Sequence, residues 1–390
     1  MRLRLIVLGW LAVSFASASA AAEPAAQAAA SAVELPRPTG RFPVGTYRIA
    51  FSDPYRREIF TADPADRRRV ALQIYYPAAA GCPPGPYIPS ALADTLAGML
   101  RTEQGFERRL NAHACADARP AAGSARYPLV LFSHGMGPTH FLYTALLEDL
   151  ASRGNIVVAI DHPHGAPATY FPDGSLVRRD ASRWGKGPEQ SFLAANEYYR
   201  VWAEDARSVL DRIFRDDGTV LAKALANRVD RTRVAYVGHS YGGVAALYAA
   251  QLDARIAAAV NLDGGVGVST DPDGRKMPSR MLLPVAADVP ILVLNSEAFD
   301  DHEAYAPGVR VARLREMAHM HYSDLVWLRE RLGAANAPQG PTKTTAGAQG
   351  IALTRTLTSL FLDCAFAATC SPLETALDAA RAPAEQKAPG

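Results

Sequence analysis

Residues 233–247 read Arg-Val-Ala-Tyr-Val-Gly-His-Ser-Tyr-Gly-Gly-Val-Ala-Ala-Leu, and no other stretch restricts the fold so tightly. Val234–Val237 has the length and apolar character of a buried strand, and the residues from Val244 onward carry a helical pattern. Between them there is room only for a sharp turn. Strand and helix backbones must then approach closely, which Gly238 and Gly242 permit by carrying no side chain. Gly-x-Ser-x-Gly in this setting reads as a nucleophile elbow, with Ser240 lifted clear at the C-terminal edge of a parallel sheet. The competing reading is a glycine-rich turn with an idle serine.

Strands and helices alternate around this turn. Gly45–Phe51 and Arg69–Tyr76 read as opening antiparallel strands. Tyr127–Ser133, Asn155–Asp161, Arg233–Val237, Ala257–Leu262, Val289–Asn295 and Val309–Leu314 follow as strands, with helices over Phe141–Arg153, Glu189–Arg215, Val244–Leu252 and Tyr322–Leu332. The alternation predicts an α/β class with a mostly parallel central sheet flanked by helices on both faces, and the elbow specifies the α/β-hydrolase fold. With 390 residues and 49% hydrophobic content, one domain over 42–370 accounts for the core. Pro77–Arg126 is an excursion whose stretch Ala91–Leu100 is either lid or core and is the one candidate for peripheral lipid contact. Pro172–Glu189 reads as a cap over the site.

The ends of the chain differ in kind from this domain. Residues 1–22 carry Arg2 and Arg4, an apolar run Leu5–Phe15 and small residues through Ala22, the pattern of a secretory signal peptide cleaved after Ala20 or Ala22. The apolar run is shorter than the roughly 20 residues that cross a bilayer. Residues 23–41 read as a disordered leader and 371–390 as a flexible tail, both alanine-rich and punctuated by proline. The expected location is periplasmic or secreted. Four cysteines in an oxidising compartment imply two disulfides; three pairings are open to the sequence, of which Cys82 with Cys115 and Cys364 with Cys370 is the favoured one.

Without Arg2 and Arg4, lysines plus arginines equal aspartates plus glutamates, which excludes nucleic acid as the main partner. Neither the Asp161-His162-Pro-His164 run nor His319-Met-His321 has metal-ligand spacing, so no metal or cofactor is expected. No feature fixes an oligomeric state.

A serine hydroxyl is a poor nucleophile at neutral pH, so Ser240 requires a base and a group that orients that base. In an α/β-hydrolase the chain order is serine, acid, histidine. Of nine histidines only His302, His319 and His321 follow the serine. His302 lies in an acidic loop and reads as solvated; His319 and His321 both sit just beyond the last strand. For the acid, Asp263 and Glu297 end successive strands at the same edge. Charge developing on a substrate carbonyl needs donors, and two amides are indicated: Tyr241 N–H at the start of a helix, and Met136 N–H in Ser133-His-Gly-Met-Gly137.

Taken together, Pro128-Leu-Val-Leu-Phe-Ser-His-Gly-Met-Gly137, Leu150-Ala-Ser-Arg-Gly154, Ala168-Thr-Tyr-Phe171, Gly238-His-Ser-Tyr-Gly-Gly243 and Asn295-Ser-Glu297 resemble the plasma-type platelet-activating factor acetylhydrolases, from about Val44 to Leu328. The resemblance implies Ser240 as nucleophile, Asp263 as acid, His319 as base and the amides of Met136 and Tyr241 as oxyanion hole, with Glu297 the alternative acid. It also implies metal-free hydrolysis of short or oxidised acyl esters, acetylated or oxidised phospholipids among them. Where vertebrate members carry a bulky aromatic shortly after the acid, this chain has Gly264-Gly265, which implies an open acyl-pocket wall. The expected function is therefore a secreted carboxylic ester hydrolase acting on a small-molecule ester or lipid. The alternatives are a serine peptidase or polyester hydrolase on the same fold, and a non-catalytic binding module.

Overall fold

The computed structural model describes residues 32–80, 83–180, 188–215, 218–266, 285, 288–297, 304–332 and 346–381. The expected signal peptide, Cys82, His302 and part of the expected cap fall outside these residues. Among them, one sheet contains β1 (Val44–Arg57), β2 (Arg67–Pro77), β3 (Cys115–Ala116), β4 (Tyr127–Ser133), β5 (Ile156–Asp161), β6 (Val229–His239), β7 (Ala258–Leu262), β8 (Ile291–Asn295) and β9 (Arg310–Arg313). Their order across the sheet is β9-β8-β7-β6-β4-β5-β2-β1-β3. Pairing is parallel from β9 through β5, and β2 runs antiparallel to both β5 and β1. The expected mostly parallel sheet with opening antiparallel strands is what forms.

The period of two along each strand feeds two cores. Leu129 and Leu131 of β4, Ile156 and Val158 of β5 and Val234 and Tyr236 of β6 pack with α3 (Pro188–Arg215) and α4 (Tyr241–Leu252). The intervening Val130, Phe132, Val157, Ala159, Ala235 and Val237 face α1 (Ala93–Leu100), α2 (Thr144–Ser152), α5 (Leu325–Arg331) and α6 (Gly347–Ala367). Helices therefore cover both faces. Leu92, Leu96 and Leu100 are buried, so the Ala91–Leu100 stretch belongs to the core. After β4 the chain turns to β5 on one side, then returns to β6 on the other. That reversal opens a crevice beyond the carboxyl ends of β4 and β6, where α/β sheets bind their ligands.

Two terminal expectations need correction. Residues 32–41 of the expected leader are anchored: Val33–Glu34 pairs with Leu110–Asn111, Leu35 is buried, and Thr39 N–H and Oγ1–H both donate to Asp149 Oδ1 on α2. Arg355 of α6 donates to the carbonyls of Pro36 and Arg37. Within the expected tail, Ser371–Ala380 forms a helix, α7, with Pro372 in its first turn and Leu373 and Leu377 buried one turn apart. Arg310 of β9 pairs with Glu374 and holds it to the sheet. Helix α6 was also not legible: its glycines and threonines are weak helix formers, and Leu357, Phe361 and Leu362 stabilise it by burial. Its length and hydropathy would suit a membrane crossing, yet more than half of it is buried. The expected Cys364–Cys370 disulfide joins α6 to α7. Cys115 is disulfide-bonded too, and its expected partner Cys82 lies outside the described residues.

Glu148 of α2 is buried, accepting only the N–H groups of His113 (2.8 Å) and Ala114 (2.6 Å) at Oε1. Burial raises its pKa from 4.5 to about 8, against the lowering effect of those amides. A carboxyl raised in the folded state supports folding while protonated and loses that contribution as pH climbs from its unfolded to its folded value. Stability should therefore fall between about pH 4.5 and 8. Glu148→Gln keeps the acceptor without the charge, and its melting temperature should decline less across that range; parallel declines in wild type and variant by circular dichroism would refute the assignment.

Candidate active site

Ser240 stands between β6 and α4 with φ 54° and ψ −122°, a conformation that side-chain-bearing residues rarely adopt. Glycine makes the close approach behind it possible. A Cβ on Gly238 would lie 2.1 Å from the Gly242 carbonyl oxygen, and one on Gly242 would lie 2.3 Å from that of Ser133. Ser240 N–H donates to the Leu262 carbonyl at 2.8 Å, and Asp263 N–H donates to Leu294 at 2.8 Å, so the ends of β6, β7 and β8 are stitched in step. Asp263, also at positive φ, thereby emerges one residue past the β6–β7 ladder.

Three of the expected residues meet at this edge. His319 Nε2 lies 3.1 Å from Ser240 Oγ, and its Nδ1 lies 2.6 Å from Asp263 Oδ2. Asp263 is fully buried, and its other oxygen accepts the N–H of Ser296. The His319 side chain is 39% exposed. The other candidates have different partners. His321 is buried, with Nδ1 accepting the N–H of Ala318 at 3.0 Å, and it packs against Gly350 of α6. Glu297 accepts the N–H of Glu316 at 2.9 Å. The loop carrying Met136 abuts the serine: a Cβ on Gly135 would come 3.1 Å from Ser240 Cβ. Tyr241 N–H opens α4, so the positive end of that helix faces the same space.

Residues that the sequence did not single out hold this arrangement. His239 is fully buried; its Nε2 lies 2.8 Å from the His319 carbonyl and its Nδ1 2.7 Å from Tyr143 Oη. Burial, then the neighbouring His319, press its pKa well below the ordinary value, so it is neutral. With Nε2–H donating to the His319 carbonyl, Nδ1 accepts from Tyr143, whose oxygen accepts Gly135 N–H at 3.2 Å. One imidazole thus ties the main chain of His319 to the loop of Met136. Asn261 clasps the turn after Asp263, its Nδ2 donating to Gly264 O and its Oδ1 accepting Gly264 N–H. A Cβ on Gly264 would fall 2.4 Å from the Ser240 carbonyl oxygen, so the first of the two glycines after Asp263 serves this contact.

A second serine–histidine–aspartate chain lies beneath the first. Ser133 Oγ is 2.7 Å from His162 Nε2, and His162 Nδ1 is 2.8 Å from Asp205 Oδ2. All three are buried, and Ser133 Oγ also bonds Tyr236 Oη at 2.7 Å. Trp202 stacks on the His162 ring at 4.3 Å and 5°. Arg68 reaches both oxygens of Asp205, at 3.0 and 2.7 Å, and also Glu58. Ser133, His162 and Asp205 expose no surface, so this chain is part of the interior.

Residues 130–385 match the profile of the alpha/beta hydrolase family. The chain belongs to that family. Residues 27–198 match the profile described as platelet-activating factor acetylhydrolase, isoform II. Among curated relatives, this α/β-hydrolase is 28% identical over 234 residues to platelet-activating factor acetylhydrolase of Canis lupus familiaris, covering 53% of this chain and 50% of the relative. It is 31% identical over 203 residues to the Bos taurus protein of the same name, covering 46% and 44%. The chain thus spans about half the length of these mammalian relatives. A ferulic acid esterase from Streptomyces cinnamoneus superposes with a TM-score of 0.71 at 28% identity, covering 90% of this α/β-hydrolase and 96% of the esterase.

The two hydroxyl–imidazole–carboxylate chains, one at the rim and one buried, make a sharp test. A fluorophosphonate should label Ser240 and leave Ser133 untouched, as peptide mass mapping would read. Labelling at Ser133, or none at Ser240 in folded protein, would contradict this assignment.

Proposed function

We propose that this protein is a serine-dependent carboxylic ester hydrolase with Ser240, His319 and Asp263 as its triad. The observation that carries the reading is the bond from His319 to Ser240 at 3.1 Å, with His319 backed by Asp263 at 2.6 Å, at a strained elbow. Ser240 Oγ attacks the ester carbonyl while His319 Nε2 takes its proton. The tetrahedral oxyanion is met by the amides of Met136 and Tyr241. His319 returns the proton to the leaving alcohol as the C–O bond breaks, leaving an acyl group on Ser240. Water, deprotonated by the same imidazole, then releases the acid and restores the hydroxyl. Asp263 holds His319 in the tautomer that presents Nε2 and offsets the imidazolium charge.

Short-chain or lipophilic esters are the substrate class this reading favours. The acetylhydrolase relatives point to acetylated phospholipids, and the neighbour named as a ferulic acid esterase, matched over nearly its whole length, supports esters of aromatic acids as a second reading. Entry to the periplasm or medium through the 1–22 signal peptide completes the proposal.

Steady-state hydrolysis of 4-nitrophenyl acetate, butyrate, octanoate and palmitate, with an acetylated phospholipid and methyl ferulate beside them, tests the reading. Activity should vanish in Ser240→Ala and fall with acyl length; ester hydrolysis that survives Ser240→Ala would overturn it. Asp263→Asn should lower kcat by about 10⁴ with KM little changed, since the imidazole then rests in the wrong tautomer. Full activity in that variant would transfer the acid role to Glu297.

A further inference from the structure

The peptide unit joining Gly135 to Met136 carries a carbonyl at one end and, pointing the opposite way, the Met136 N–H. Whatever holds that carbonyl also aims that amide. His134 Nδ1 lies 2.7 Å from Gly135 O. A carbonyl only accepts, so Nδ1 bears the proton and Nε2 is the ring's acceptor. Nε2 receives the main-chain N–H of His162 at 3.2 Å, which selects the same tautomer from the other side. The carboxylate facing the ring, Asp161, is 3.8 Å from Nε2 and is engaged by His140 Nδ1 at 2.7 Å. His134 is fully buried, and its ring meets Trp202 edge-on at 5.0 Å. Burial, then the neighbouring His162, push its pKa down to about 4, so the ring is neutral near pH 7.

Behind His134 stands the buried platform already described. Its two ends flank the loop: Ser133, the residue before His134, bonds the His162 side chain, and the main chain of His162 bonds His134. Asp205, held by Arg68 and by Arg56 at 2.7 Å, orients His162 through Nδ1. On the other side of Gly135, its N–H is fixed by Tyr143. Both polar groups of Gly135 are therefore restrained by side chains.

We propose that His134 is a positioning residue for ester hydrolysis, fixing through the Gly135 carbonyl the direction of the Met136 amide that receives the oxyanion. It touches no substrate. The Asp205–His162 pair anchors the residue whose main-chain N–H holds His134 in place, which gives this interior serine–histidine–aspartate chain its function. The inference rests on the triad and oxyanion roles proposed above. Its energetic signature differs from that of a purely structural histidine, because a misdirected oxyanion donor weakens the tetrahedral state far more than the bound ester.

The test compares His134→Phe, which retains the ring volume and removes both nitrogens, with His134→Asn, which returns an N–H donor and a carbonyl acceptor. With 4-nitrophenyl butyrate, kcat of His134→Phe should fall by about 10- to 100-fold while KM stays within about threefold, an attenuated form of losing the donor outright. Affinity for a trifluoromethyl ketone, which forms a tetrahedral adduct on the serine, should fall in parallel with kcat. His134→Asn should recover most of both. If His134→Phe does not fold, His134→Gln, which displaces the donor while leaving an acceptor, takes its place in the same comparison. A kcat within about twofold of wild type, or a loss expressed only in KM, would overturn the proposal. Ester hydrolysis persisting in Ser240→Ala would instead sink the underlying triad reading, so the two failures are distinguishable.

Discussion

The close approach of β6 to α4 is the constraint on which the rest of this structure depends. Gly238 and Gly242 bring two backbones within a distance that excludes any side chain, and Ser240 is left at positive φ between them. Such a conformation costs on the order of 1–3 kcal/mol and persists only where its surroundings over-determine it. Here they do: Ser240 N–H is bonded to β7 and its carbonyl accepts the Val244 N–H of α4. The strain is repeated at Asp263, whose turn Asn261 clasps from within. The proposed nucleophile and acid are thus presented by two strained turns one strand apart, and the sheet's hydrogen-bond ladder sets the distance between them.

The antiparallel strands β1 and β2 extend the sheet away from this crevice, yet they are coupled to it through charge. Arg68, on β2, is almost wholly buried and pairs with Glu58, just beyond β1, and with Asp205 on α3. Removing water from three charges is costly, and the arrangement is tenable because guanidinium and carboxylates satisfy one another at 2.7–3.0 Å. Losing one partner of such a group typically costs about 3–5 kcal/mol, since it strands the others without solvent. The same cluster meets His162 and, through it, the start of the loop that bears Met136. A segment that contributes no residue to the candidate triad therefore fixes the ground on which the crevice is built.

Much of this was legible in the chain, for identifiable reasons. Strands β4 to β8 declared themselves as short apolar runs because both their faces are covered, and α3 by its periodicity. The elbow was legible because glycine is obligatory at a near-contact of backbones. What escaped were features whose cause is tertiary. Helix α6 is rich in residues that favour other conformations and is helical because its apolar side chains find a core. Residues 32–41 look like a leader until α2 and Arg355 supply partners for their backbone. His239 and Tyr143 read as unremarkable polar residues, since a hydrogen bond across the sheet leaves no trace in local spacing. For His239 a signal was present in its position immediately before the serine. The choice of Asp263 over Glu297, and of His319 over His321, came from family resemblance, because both members of each pair lie at the same sheet edge.

The crowd of histidines around the crevice raises the question of why one imidazole should act as base. A base must hold a positive charge during turnover, and burial decides which ring can. His134, His140, His162 and His239 are all fully buried, and burial is the largest cause lowering the pKa of each. They are confined to neutral tautomers that carry direction and no charge. His319 keeps two-fifths of its side chain in solvent and has the buried carboxylate of Asp263 against its far nitrogen. The four neighbours have no such contact with solvent. The division of labour proposed for these chemically identical rings thus follows from burial: those sealed inside act as hydrogen-bonding struts, and the one at the rim is the ring that a substrate can reach.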